Sequence, residues 1–165
     1  MKKFELTTDT KMRFGKKLFR IKALISFGNV RAGDVGGYIE KEENLSQYGN
    51  AWVYGDARVS GDARVYGNAR VCGNAEVYGN ARVSGDAWVS GDADYATASG
   101  FGSECRTTTF FKLKNSDEIG VRCGCFYGTL KEFKEKVKET HGETKKAKEY
   151  LRLADLMEYK FSEEK

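Results

Sequence analysis

Proline is absent from the 165 residues and histidine occurs once. No run of residues approaches the roughly 18 apolar positions that a membrane-spanning helix needs. The missing prolines exclude Pro-rich linkers and leave every backbone N–H available to strand ladders. The single histidine, His141, leaves residues 1–140 without the commonest general base. No basic segment followed by an apolar stretch opens the chain, so no secretory signal is expected. The four cysteines, Cys72, Cys105, Cys123 and Cys125, are too few for a disulfide scaffold and fit a reducing, cytoplasmic setting. Phosphate-cradling loops, dinucleotide fingerprints, nucleophile triads and paired-carboxylate spacings are all missing. The net charge of +4 suits solubility rather than a nucleic-acid footprint. Residues 48–95 hold four basic and six acidic groups, which disfavours a nucleic-acid groove there.

Glycine, at 19 residues, is abundant and periodic. Gly49, Gly55, Gly61, Gly67, Gly73, Gly79, Gly85 and Gly91 follow one another at steps of six. Asn or Asp follows each glycine, then Ala, and two residues later Val at 53, 59, 65, 71, 77, 83 and 89, with Tyr95 in the last unit. The unit G-[ND]-A-x-V-x is too short for a helix-pair repeat and does not match a heptad. Ala and Val alternate with variable residues, as in a short strand with one buried face. Gly-Asn or Gly-Asp supplies a tight corner. Three units make one 18-residue turn of a triangular coil whose parallel strands stack over a narrow Ala/Val core.

The stretches GNAWVYGDARVSGDARV, FGNVRAGDVGGYIEKEENLS and GCFYGTLKEF carry a resemblance over about residues 18–140. The chain resembles the hexapeptide-repeat left-handed β-helix superfamily, in a variant similar to hypothetical phage and prophage proteins. The resemblance implies a left-handed parallel β-helix of about four coils. It also implies homotrimers with parallel axes, and ligands held in inter-subunit grooves. Acyltransferases of that family use a histidine base between neighbouring coils, and no histidine lies in this repeat.

An 18-residue register stacks the outward residues into ladders. One is Trp52, Arg70, Trp88; a second is Arg58, Glu76, Asp94; a third is Arg64, Arg82. The other outward position gives Tyr54, Cys72, Ser90, then Ser60, Tyr78, then Tyr66, Ser84. Arg64 and Arg82 stack like charges and suggest an acidic partner, against the plainer reading that both point to water. With Trp52, Tyr54, Tyr66, Arg70, Tyr78 and Trp88 they form the candidate binding surface.

Residues 1–17 read as an irregular segment. Residues 18–101 read as the β-helix, its imperfect first coil at 18–47 having Val30, Val35 and Ile39 in the core and Gly33, Gly36 and Gly37 at corners. Residues 102–165 read as an α/β appendage of two strands around a turn at 115–117 and two helices. Thr129 with Glu132 is the capping box of the first helix, and Leu130, Phe133 and Val137 mark its inner face. Ala147, Tyr150 or Leu151, Ala154 and Met157 face inward on the second.

Cys123-Gly-Cys125 is a weak zinc signal that would need Cys105 and His141 as further ligands, and buried thiols facing one side of a strand are preferred. No metal site, cofactor or catalytic group is expected. The expected function is that of a non-catalytic phage or prophage protein in the host cytoplasm that antagonises a defence system by binding a host protein. Sequestration of a small anionic signal, a phage assembly role, and an acyltransferase-like activity without the usual histidine are the alternatives.

Overall fold

Each repeat folds into a two-residue strand and a corner. The computed structural model describes residues 1–101 and 106–162, which divide between two units, Met1–Asp92 and Ala93–Lys165. In the first unit, β1 (Phe4–Arg13), β2 (Lys16–Ala23) and β3 (Val35–Ile39) precede seven short strands. These are β4 (Trp52–Val53), β5 (Arg58–Val59), β6 (Arg64–Val65), β7 (Arg70–Val71), β8 (Glu76–Val77), β9 (Arg82–Val83) and β10 (Trp88–Val89). Parallel pairing joins residues 18 apart, as in Trp52↔Arg70, Arg70↔Trp88, Arg58↔Glu76 and Arg64↔Arg82. Ala51 to Ala87 and Val53 to Val89 of the repeat are at most 1% exposed. Small identical side chains at fixed spacing therefore fill the core, each buried valine contributing about 1.5–3 kcal/mol.

The corners explain the glycines. Gly73 has φ +61, and a Cβ there would stand 2.5 Å from the Ser90 carbonyl oxygen. Gly36 and Gly37, expected at corners, instead lie within β3, where the backbone of the repeat approaches closely; a Cβ on Gly36 would stand 2.6 Å from the Val53 oxygen.

The left-handed β-helix expected from the sequence is corrected by the sheets themselves. The repeat strands lie in three separate sheets, β1-β2-β3-β5-β8, β4-β7-β10 and β6-β9, and none curls or closes into a helical solenoid. Each strand is only two residues long and ends at its corner, so no continuous sheet wraps the core. The first sheet continues instead through an antiparallel hairpin, β1–β2, which also corrects the irregular segment expected at 1–17. The fold is a mixed, β-rich domain with a small C-terminal helical segment. Val35, expected in the core, is 55% exposed.

The ladders have a direction. Arg58, Arg64 and Arg70 donate their N–H groups to the carbonyls of Ala75, Ala81 and Ala87. At the first end, carbonyls that lack a preceding strand are met by side-chain donors. Lys3 Nζ donates to the Ala51 oxygen at 2.9 Å, and Asn44 Nδ2 donates to those of Gly61 and Ala63. At the far end the Glu76 N–H donates to Asp92 Oδ1 at 2.8 Å. Asp94, expected above Glu76, instead pairs with Lys112. Buried backbone groups need partners, and these caps supply them where the repeat begins and ends. Lys3 is 1% exposed, and burial pulls its ammonium down to about 8.

The second unit holds an antiparallel sheet of β11 (Tyr95–Phe101), β12 (Arg106–Lys112), β13 (Ile119–Cys123) and β14 (Phe126–Thr129). Two helices follow, α1 (Leu130–His141) and α2 (Lys145–Phe161). Tyr95 thus opens this sheet rather than closing the repeat. The Thr129 hydroxyl accepts from the Glu132 N–H, and the Glu132 carboxylate accepts from the Thr129 N–H. Phe110, Phe133 and Tyr150 meet edge to face in the core.

Candidate functional site

The repeat positions outward side chains by backbone register alone. Arg64 and Arg82 stand directly opposite one another on β6 and β9, and both are exposed. Arg70 pairs with Trp52 on one side and Trp88 on the other, and is half-buried. Trp88 is 37% exposed and Tyr78 is 61% exposed. Tyr54 and Tyr66 are half-buried. Burial raises the Tyr54 hydroxyl above its ordinary value, opposed by the nearby Arg70 charge. Trp52 is not on the surface: Phe4 and Phe27 pack edge-on against it, 6.2 and 5.3 Å between ring centres, and it is 1% exposed. The three-member Trp52–Arg70–Trp88 surface therefore shortens to Arg70 and Trp88. Arg64 and Arg82 share one ladder, and Tyr78 belongs to another.

The sequence reading missed a second locus in the same unit. The β1–β2 hairpin tip stands beside β5 and β8, and a cavity of about 550 Å³ opens there. Glu76 Oε1 accepts from Arg13 Nε at 2.7 Å and pairs with an Arg58 terminal nitrogen at 2.9 Å, tying the hairpin to the ladder. The tip is a two-residue turn, Phe14 at φ +49 and Gly15 at φ +77, both in the left-handed region. Such turns favour Asn-Gly. A phenylalanine in the first position costs about 1–2 kcal/mol. The signal in the sequence was Phe14-Gly15 between Lys11-Met12-Arg13 and Lys16-Lys17.

The cysteines do not converge. The Thr108 hydroxyl donates to Cys123 Sγ at 3.3 Å, while Cys125 is exposed in the turn after Gly124, so the two do not share one strand face. Cys105 lies outside the described residues, as does residue 102, where the C-terminal appendage was expected to begin. His141 ends α1 and stacks on Tyr150 with 6.0 Å between ring centres. Among the described residues no group of three or more His, Cys, Asp or Glu side chains is placed to hold a metal ion. No helix among them is long and apolar enough to cross a membrane.

The YdcK β-solenoid repeat model matches three short stretches, 51–67, 63–75 and 75–91. The likeness is confined to the repeat. The assignment to the hexapeptide-repeat left-handed β-helix superfamily is corrected: the match is to short β-solenoid repeats only, and the sheets are not closed into a helical coil. No curated protein matches the chain.

Proposed function

We propose that this protein works by binding rather than by catalysis, and that the β6–β9 ladder is its contact surface for an acidic patch on a partner protein. The observation that carries the reading is the direct pairing of Arg64 with Arg82, both exposed. Two guanidinium groups in register present a paired donor surface, and carboxylates on a partner facing it set both register and on-rate. In this reading the chain is a phage or prophage product in the host cytoplasm, acts as a homotrimer, and antagonises a defence system by occupying a host protein.

The test is affinity capture from host lysate with identification of the retained protein, beside native mass measurement. The expected result is one stoichiometric partner on a three-chain assembly, lost in the Arg64→Glu/Arg82→Glu variant and retained when the exposed Lys131 is changed to Glu. Retention of the same partner by the double variant would reject the arginine surface. A partner-free protein that turns over an acyl donor would reject the binding reading itself.

A further inference from the structure

The cavity at the hairpin tip has the wall chemistry of a ligand site. Its volume, about 550 Å³, lies within the range of small-molecule sites. Three cations, Arg13, Lys16 and Arg58, line it, with the aromatic rings of Phe14 and Tyr78 and the Ser60 hydroxyl. The two carboxylates in its wall already accept bonds: Glu76 faces both arginines and Asp92 accepts from the Glu76 N–H. Each guanidinium has further donors beyond the one Glu76 takes. Arg58 Nε, behind the cavity wall, is buried and has no hydrogen-bond partner. Lys16 Nζ reaches Glu40 only at 3.5 Å, long for a charge-assisted bond. The lining holds three cations against two carboxylates.

Phe14 is the second observation. Its backbone is held in the left-handed region, yet its side chain is 82% exposed, so packing in the core does not account for a phenylalanine there. A backbone outlier kept without a core role is a lead toward a function at that position. The Arg13 guanidinium lies over the Phe14 ring, 4.4 Å from its centre, placing a cation and an aromatic face side by side at the mouth.

We infer that this cavity binds a small ring-bearing anion. The ring stacks at Phe14 and Tyr78, and the phosphate or carboxylate is taken by Lys16 and the arginine pair. The inference does not depend on the Arg64–Arg82 surface, which lies on another ladder.

Isothermal titration of the full chain with a nucleoside monophosphate and with benzoate separates the two anion sources. At least one binds at a single site per chain, and the uncharged nucleoside or inorganic phosphate alone binds at least about tenfold more weakly. Phe14→Ala and Lys16→Glu each weaken binding by about fivefold or more. Both residues are surface-exposed, and unchanged circular dichroism confirms that the variants fold. Arg64→Glu/Arg82→Glu leaves the affinity unchanged. Absence of binding by both probes, or full affinity in both Phe14→Ala and Lys16→Glu, overturns the inference. Loss of partner capture with intact anion binding rejects only the partner surface.

Discussion

The two units bury their cores by opposite means. The first stacks many small side chains, Ala and Val in every repeat, and holds them by parallel pairing between residues 18 apart. The second gathers a few large rings, Phe110, Phe133 and Tyr150, between an antiparallel sheet and two helices. Stability in the first is spread over equivalent positions. In the second it is concentrated.

Truncation at single sites separates these designs. Phe133→Ala removes a ring that touches Phe110, Phe126 and Tyr150, and is expected to cost the second unit about 3–5 kcal/mol. Val71→Ala, at the centre of its ladder, costs the first unit about 2 kcal/mol. Hydrogen exchange resolved to each unit reads both values, and equal losses would remove the distinction. Within the repeat, Gly73→Ala meets both the left-handed backbone and the Ser90 oxygen and costs about 2–4 kcal/mol. Gly55→Ala meets only the backbone, φ +59 with no atom within 4 Å of its Cβ, and costs about 1 kcal/mol. Denaturant midpoints that fall together would mean that neighbouring strands do not constrain the corners. Thr129→Ala removes the cap of α1 and costs about 1 kcal/mol, measured as loss of helical ellipticity on heating.

A pH slope is also expected. Lys3 titrates at about 8 in the folded chain against 10.5 for an ordinary lysine. Between those values the unfolded chain binds more protons than the folded one, so stability rises with pH across that window. Lys3→Met is expected to flatten that part of the profile in urea denaturation, and an unchanged slope would place its origin elsewhere.

The repeat was legible because its period is unbroken: corners, buried Ala and Val, and the 18-residue pairing all follow from spacing. The capping box at Thr129 and Glu132 and the inner face of α1 were legible because helix ends are local chemistry. Closure into a triangular coil was also read from the spacing, only its handedness coming from the resemblance, and two-residue strands do not supply that closure. Trp52 was misplaced because its cover, Phe4 and Phe27, comes from distant segments outside the repeat. The β1 hairpin was missed because FELTTDTKMR is polar and mostly exposed, with little alternation to mark a strand. The cavity depends on where that hairpin lands, through Arg13 and Glu76, 63 positions apart in the chain. No short-range pattern encodes such a meeting.

The in-register pairing makes the repeat editable in fixed steps. Duplicating residues 62–79 would insert one complete 18-residue period, adding about 4.8 Å along the stack while each downstream strand keeps its own ladder. The donors Lys3 and Asn44 at one end and the acceptor Asp92 at the other would still meet the same kinds of backbone group. A six-residue insertion of the same composition would instead move every downstream strand to a neighbouring ladder, parting Arg58 from Glu76 and Arg64 from Arg82. The molecule therefore behaves as a ruler graduated in eighteens, tolerant of whole divisions and intolerant of thirds.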